Sequence, residues 1–480
     1  MKYLRAVVKS WTVIGILLMV TLHSGAAQSL PIEIGSRLEL LIDTLSGDAS
    51  FHLHKPVPQK VALVTDAPWE GNTSAYYTIF QDGDLLRMYY RGSHYDEITS
   101  KSTHPEVTCY AESRDVITWT KPKLGLFEWN GSKENNIVWN GIGCHNFTPF
   151  LDANPNCLAD EKYKALGREN RPRKGKKALF AFKSPDGFQC SLMSEQPILT
   201  KGAFDSHNLA FWDPVRGEYR EYHRTFENRI RDIQTVTTRN FLDCPDPVFL
   251  SYPGAPKQHL YTNAVQPYFR APHLFVAFPT RFLPEEGDRV EPILMTSRNG
   301  FTFHRWNDPV IPETAPMDRA GNRSNYMAWG IIPTPNKAGE LSVYASEAYY
   351  EGPNSRLRRF TYRTDGFVSV GAGSESGEIL TKPLVFAGKK LEFNFKTSTK
   401  GSIRVEAQDA KGTSLDGLTH KDSLPLTGDS IEKRVQWKQV PNLGSMEGSS
   451  CPPTHCAARR RSFRVTLSLS ETSQDQQLFA

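Results

Sequence analysis

Apolar and polar residues alternate along this chain over short stretches, with turn residues between them. Leu391-Glu392-Phe393-Asn394-Phe395-Lys396 and Ile403-Arg404-Val405-Glu406-Ala407 carry a period of two. Val107–Glu112, Ala178–Lys183 and Pro292–Thr296 are mostly apolar and end in turn signals. Few stretches hold a helical period for three turns. Period-two runs of this length bounded by turns predict an all-β chain.

A weak repeat orders these runs. Ser113-Arg114-Asp115-Val116-Ile117-Thr118-Trp119 follows Val107–Glu112, Ser184-Pro185-Asp186-Gly187-Phe188 follows Ala178–Lys183, and Ser297-Arg298-Asn299-Gly300-Phe301 follows Pro292–Thr296. Thr238-Arg239-Asn240-Phe241 is a degenerate copy, and Arg363-Thr364-Asp365-Gly366-Phe367 is a fifth. Asp and Asn bond to their own backbone and Gly takes left-handed angles freely, so each copy reads as a turn followed by an anchoring aromatic. Five copies, one per antiparallel blade, predict a five-bladed β-propeller, with the turns joining the outer two strands of each blade. Ile34–Pro68 leads in, with the option of a strand that closes the ring. After Ser374-Glu375-Ser376-Gly377 the alternating runs predict a small C-terminal β-sandwich. The expected divisions are 1–27 signal peptide, 28–372 propeller, 373–445 sandwich and 446–480 irregular tail.

The N-terminus sets the compartment. Lys2, Arg5 and Lys9 precede the apolar stretch Trp11–Leu22, and Ser24-Gly25-Ala26-Ala27 follows. This is the form of a secretory signal cut after Ala26 or Ala27, so the protein is expected to be secreted or periplasmic, with no stable membrane insertion after cleavage. The net charge of +5 is mild for 480 residues and forms no basic stripe, which argues against a nucleic-acid partner. The 7 cysteines show no zinc spacing; Cys144–Cys157 is the closest pair before the tail, and buried thiols are the equal alternative.

Several segments resemble a known group, the secreted glycoside hydrolase family 32-like five-bladed propellers of the planctomycete type. They are Asp66-Ala67-Pro68-Trp69-Glu70-Gly71, Arg87-Met88-Tyr89-Tyr90-Arg91-Gly92, His145-Asn146-Phe147-Thr148-Pro149-Phe150, Phe204-Asp205-Ser206-His207-Asn208 and Arg270-Ala271-Pro272-His273. The resemblance covers roughly Ile34 to Val440 and implies a carbohydrate substrate, a two-carboxylate mechanism in an axial pocket, and a monomer. The chain departs from the family 32 nucleophile motif Trp-Met-Asn-Asp-Pro-Asn-Gly, having Asp66 and Trp69-Glu70-Gly71 there instead. Related propellers sometimes hold a Ca²⁺ on the axis; no metal set is read here, and no cofactor is expected.

Glycoside hydrolysis needs one carboxyl that donates a proton and one that attacks or activates water. In a propeller these lie at the ends of the inner strands. Asp205 is the leading candidate, because Asp205-Ser206-His207-Asn208 is costly to bury without partners. Glu70 precedes the first inner strand. Asp152 lies past the second, where related propellers carry a pKa-tuning acid, though an Asp before Asn154-Pro155 also forms turns. Glu347, in Tyr344-Ala345-Ser346-Glu347-Ala348-Tyr349-Tyr350, has an aromatic flank that would raise its pKa. Asp66, Trp69, Arg91, His145, Asn146, His207, Asn208, Arg224, Arg270, His273 and Trp329 are candidate saccharide-binding residues. An arginine-rich pocket suits a carboxylated or sulfated sugar, because the guanidinium fork matches such oxyanions. Trp329 would stack on a sugar ring or fill the core.

Three readings follow. The first is a glycoside hydrolase on an extracellular poly- or oligosaccharide. The second is a carbohydrate-binding propeller without a facing acid pair. The third is a sialidase-like enzyme, since Ser113–Trp119 resembles an Asp-box; it requires three converging arginines and a tyrosine nucleophile.

Overall fold

The computed structural model describes residues 32–40, 45–47, 50–169, 177–311, 325–371, 377–409, 411–440, 443, 462–470 and 477–479. The signal segment, Cys451 and Cys456 lie outside them. The described chain is all-β apart from 3-10 turns, and five antiparallel sheets succeed one another along it.

Blade one is Ala75–Asp82, Leu85–Gly92, Val107–Ser113 and Ile137–Trp139; blade two is Gly143–Leu151, Tyr163–Arg168, Leu179–Ser184 and Ser191–Leu192. Blade three is Leu209–Asp213, Glu218–Glu227, Ile230–Thr238 and Val248–Phe249. Blade four has an interrupted inner edge (His259–Leu260 and Gln266–Tyr268), an interrupted second strand (Ala271–Ala277 and Thr280–Leu283), then Arg289–Ser297 and His304–Pro309. In blade five, Ile332–Pro333, Glu340–Glu347 and Arg356–Arg363 come from the end of the propeller sequence, and the outermost strand, Val57–Val64, comes from before blade one. The lead-in segment therefore supplies the strand that closes the ring.

The repeated turns sit between the third and outermost strands of blades one to four, as the sequence predicts. Asp115 Oδ1 accepts from the backbone N–H of Ile117 (2.8 Å) and Thr118 (2.7 Å), Asp186 Oδ1 from Phe188 and Gln189 (both 2.8 Å), and Asn299 Oδ1 from Phe301 (2.9 Å) and Thr302 (2.8 Å). The fifth turn leads instead into the sandwich strand Val368–Gly371.

The turns also fasten blades together. Arg87 and Tyr89, on the second strand of blade one, donate to the carbonyls of Asp186 (2.8 Å) and Gly187 (3.1 Å) in blade two. Arg220 and Tyr222 of blade three repeat the grip on Asn299 (3.0 Å) and Gly300 (2.9 Å) of blade four. Tyr344 of blade five reaches Val116 of blade one (2.6 Å). Gly300 has φ +77°, and a Cβ there would collide with the Arg220 guanidinium and lie 2.7 Å from Tyr222 Oη. Gly83 also has a positive φ, +62°, but faces open space. Gly300→Ala should therefore cost about 2–3 kcal/mol in urea unfolding, and Gly83→Ala only the backbone strain of about 1 kcal/mol. Equal costs would mean that the grip contributes nothing.

The sandwich differs from its expected boundaries. One sheet orders Ile32–Gly35, Leu384–Phe386, Ser462–Ser470, Gly377–Thr381 and Leu45–Gly47, with Ser402–Asp409 also on Ser462–Ser470. The other orders Ser50–Leu53, Val368–Gly371, Gln477–Phe479, Glu392–Lys396 and Asp429–Arg434. Ile32–Gly35, Leu45–Gly47 and Ser50–Leu53, expected in the propeller, thus belong to the sandwich sheets. So do parts of the tail expected to be irregular: Ser462–Ser470 pairs with three strands. The reason lies in the tail's own pattern, Phe463-Arg464-Val465-Thr466-Leu467-Ser468-Leu469, which has a period of two. One buried apolar cluster runs from Tyr268, Phe278, Phe360 and Tyr362 of blades four and five to Phe395, Val405 and Trp437 of the sandwich, so the two parts share a core.

Cys157 forms no disulfide, so the Cys144–Cys157 pair is not made; Cys109, Cys190 and Cys244 are likewise unbridged.

Candidate functional site

The strand directions define a mouth. Each inner strand of blades one to three starts there, and the Asp and Asn turns lie at the opposite end, since Ser113 pairs with Leu86 beside the Asp82–Leu85 hairpin. Turn carboxylates are therefore excluded from mouth chemistry. The residues at the mouth come from short extensions of the inner strands, from the tops of second and third strands, and from the 93–106 loop.

Tyr76 forms the centre. The Arg91 guanidinium lies over its ring, 4.8 Å from the centroid, and the rings of His145 and His207 lie 5.9 Å and 5.8 Å away. Its hydroxyl donates to the backbone carbonyl of Asp205 (3.2 Å). Beneath it a cavity of only about 10 Å³ is lined by His207, Thr262, Tyr326 and Ser346. That is too small for a sugar, so a saccharide would sit above Tyr76 in the open mouth. Tyr261, Tyr326 and Tyr349 make the far wall, with ring centroids 5.6 Å and 5.4 Å apart in sequence.

Two carboxylates reach this mouth. Asp205 is held by Arg224 and, at 3.7 Å, by Lys177, and its side chain is 35% exposed. Burial works to raise its pKa, but the charges of Arg224 and Lys177 outweigh that and hold it below its ordinary value. Glu106 accepts from His145 Nδ1 (2.9 Å) and lies 3.6 Å from Arg91. Burial again works upward, but the His145 hydrogen bond and the Arg91 charge bring its pKa down to about 2. Both are therefore ionised at neutral pH. His145 is itself held below its ordinary pKa by burial, against the opposing pull of Glu106. A neutral His145 that donates from Nδ1 leaves Nε2 as an acceptor.

The polar run at 204–208 explains how Asp205 is placed. Asn146 donates to the carbonyls of Phe204 and Ser206 (both 2.5 Å), and Asn208 donates to the same two (3.0 and 3.1 Å). Two buried carboxamides thus pin the backbone on either side of Asp205. Asn146 and Asn208 are positioning residues rather than saccharide contacts. His207 is buried on the axis, with Nε2 3.0 Å from Thr78 Oγ1, and burial lowers its pKa to about 3. The unfolded chain binds a proton at this histidine below about pH 6.5 while the folded chain does not until about pH 3. Stability is complete above pH 6.5 and falls as the pH drops through that window. His207 alone should cost roughly 3 kcal/mol by pH 4. His207→Gln should lose less stability between pH 7 and pH 4 than the wild type in urea titrations; parallel losses would refute the assignment.

The structure separates the other nominated residues from the mouth. Glu70 is fully buried, accepting from Tyr90 (2.5 Å), Lys121 (2.6 Å) and the backbone of Ala67 (3.1 Å). It is a strut of the 66–71 turn. Asp152 is bound by Lys164 (2.6 Å) and Tyr219 (2.7 Å) at the end of the blade-two inner strand opposite His145, roughly 20 Å away by strand rise. Glu347 is buried and paired with Arg356 (2.8 Å) and Arg358 (2.5 Å) of the next strand outward. Each acid is wedged by a cation, Lys121 from the segment after Val107–Ser113 and the others from a neighbouring strand, so its carboxylate is spoken for. Asp66 is exposed beside Lys121 (3.1 Å), and Trp69 donates to Asn136 (2.7 Å) on the flank of blade one. Arg270 binds Asp365 and Glu432 (both 3.1 Å), and His273 binds Glu39 (3.0 Å), at the propeller–sandwich junction. A cavity of about 390 Å³ lies at that junction, lined by Leu38, Arg270, Leu384 and Phe393 among others. Trp329 is a core residue, donating to the Val265 carbonyl (2.8 Å).

Of the nominated residues, the mouth therefore gathers Asp205, Arg91, His145, His207 and Arg224, with Asn146 and Asn208 beneath. Sequence reasoning missed Tyr76, Glu106, Arg168, Lys177, Arg231, Tyr261, Tyr326 and Tyr349. One signal was available: Leu85–Gly92 joins Val107–Ser113 through a long polar loop on the mouth side, where the other hairpin of that blade needs only Gly83-Asp84. Among the described residues no cluster of three His, Cys, Asp or Glu side chains is placed to hold a metal ion.

No protein-family model and no curated protein matches the sequence. Solved structures similar to the chain include a thermostable family-43 glycoside hydrolase, at 13% identity over 66% of this chain and 96% of that one, with a TM-score of 0.43. The endo-arabinase from Bacteroides thetaiotaomicron matches at 9% identity over 64% and 99%, TM-score 0.42. An N-acetylgalactosamine deacetylase from F. plautii, in complex with blood group B trisaccharide, matches at 11% identity over 66% and 96%, TM-score 0.46. The chain is an all-β protein whose propeller has five blades, and its structural neighbours include glycoside hydrolases.

Proposed function

We propose that the protein is a secreted glycoside hydrolase of the family 32-like type, acting on an extracellular poly- or oligosaccharide at the axial mouth. The observation that carries this reading is the pair of carboxylates, Asp205 and Glu106, brought to either side of Tyr76 from blades three and one. Asp205 is the proton donor of the pair. With Arg224 and Lys177 in place it is ionised, but a saccharide that displaces either cation lets burial raise its pKa toward a donating range. Glu106, locked ionised by His145 and Arg91, is the carboxylate that attacks or activates water.

A second reading, a saccharide-binding propeller without hydrolysis, is favoured by the ionised state of both carboxylates. The sialidase-like reading is weaker. Arginines do surround Tyr76, but burial raises its phenol well above the ordinary value and its hydroxyl faces a backbone carbonyl, not a base. The deciding experiment presents the purified chain from Gln28 onward with fructans, arabinans, and uronic-acid and sulfated polysaccharides. Release of reducing ends supports the hydrolase. Binding without release supports the second reading.

A further inference from the structure

We infer that the saccharide taken at the mouth carries an oxyanion substituent, a carboxylate or a sulfate ester, and that Arg168 receives it. This rests on the reading of the mouth as a saccharide site, though not on hydrolysis.

The inference starts from charge. Arg91, Arg168, Arg224 and Lys177 act on Glu106 and Asp205, and Arg231 lies over the same Tyr261 ring as Arg224, so five cations gather at a mouth with two carboxylates. Three of the cations are already engaged. Arg91 bonds to Thr73 O (2.6 Å), Tyr349 Oη (3.1 Å) and the Glu106–His145 pair, and Arg224 and Lys177 hold Asp205. Arg231 is stacked against Tyr261, Phe226 and Phe282 and lies 3.4 Å from His259. Arg168 is different. It ends the second strand of blade two, its backbone N–H is fixed by Asn146 Oδ1 (3.0 Å), and its guanidinium makes no hydrogen bond or ion pair among the described residues. Its Nε is buried without a partner, as are those of Arg91, Arg224 and Arg231, but only Arg168 among these arginines also lacks a described partner at its two terminal nitrogens. Its backbone lies at the mouth end of blade two: Arg168 pairs with Gly143 at the start of the inner strand, and the Asn146 side chain that accepts from its N–H also holds the carbonyls on either side of Asp205.

A buried guanidinium nitrogen without an acceptor is costly, because its desolvation is not offset. A saccharide oxyanion supplies the missing acceptor in the bidentate geometry that arginine favours. A neutral sugar hydroxyl supplies at most one weaker bond and leaves the excess positive charge uncompensated.

The test is calorimetric binding of matched oligosaccharides to the full-length mature protein. One arm compares oligogalacturonides with their methyl esters, and the other compares sulfated galacto-oligosaccharides with their desulfated forms. We expect the charged member of one arm to bind at least tenfold tighter than its neutral partner, with affinity falling as salt rises. Arg168→Gln should erase that preference, and Arg168→Lys should keep part of it. Unchanged melting temperatures for both variants exclude unfolding as the cause. The arm that responds identifies carboxylate or sulfate. Equal binding of charged and neutral partners in both arms, or a preference that survives Arg168→Gln, overturns the inference. A charged glycan that binds through Arg168 but is never cleaved leaves it standing and removes the hydrolase reading. A neutral glycan cleaved equally by wild type and Arg168→Gln does the reverse.

Discussion

Asp205→Asn should fold like the wild type and lose saccharide hydrolysis by roughly 10²–10⁴-fold, the usual contribution of a positioned acid or base. The fold should survive because the side chain is 35% exposed, asparagine keeps an acceptor oxygen for the buried Arg224, and Lys177, 46% exposed, can rehydrate. The backbone around it is held independently by Asn146 and Asn208. Asparagine keeps the shape and the acceptor oxygen but can neither be ionised nor donate an acidic proton. The comparison is made on whichever polysaccharide the wild type cleaves. Activity within tenfold of wild type would remove Asp205 from the chemistry.

Glu347→Ala should do the opposite, destabilising the protein by about 3 kcal/mol in urea unfolding. Removing one partner of a buried ion pair leaves the other charge uncompensated, which typically costs about 3–5 kcal/mol. The lower end applies here because Arg356 is 38% exposed and can rehydrate. Arg358, 21% exposed and also bonded to the Gln59 carbonyl (2.6 Å), has less freedom. Any loss of hydrolysis should track the loss of folded protein. A variant of wild-type stability that no longer cleaves would instead return Glu347 to the catalytic set.

These two acids show what the sequence makes legible. Asp205 stands out because four small polar residues in a row are hard to bury, and in the fold Asn146 and Asn208 supply the partners for the carbonyls of Phe204 and Ser206. Glu347, Glu70 and Asp152 are eligible by sequence because an acid at a strand end reads the same whether it faces the axis or the neighbouring strand. What separates them is the partner across the sheet: Arg356 and Arg358, Lys121, Lys164. Those pairings follow from register, which a single sequence does not display. Glu106 and Arg168 were invisible for a related reason. They lie on the neighbouring blades one and two, and only the packing of those blades brings His145 onto Glu106 and Arg168 to the same rim. The turns were legible because their chemistry is local, with Asp115, Asp186 and Asn299 bonding within three residues of themselves. The strand Ser462–Ser470 is also local, but its alternation follows Pro452-Pro453, residues that disfavour strands, and the charged run Arg459-Arg460-Arg461, and its partners lie 54 to 92 positions earlier.

The closing strand of blade five has a consequence in time. Val64 pairs with Arg356, 292 positions later in the chain. At about 5–20 residues per second, synthesis needs some tens of seconds to deliver the partner. Throughout that interval Val57–Val64 is a finished strand with an unmet edge, the kind of template on which foreign strands assemble. Nascent chains, rather than mature ones, should be where this protein aggregates, and a holdase that masks one N-terminal segment should protect the whole ring.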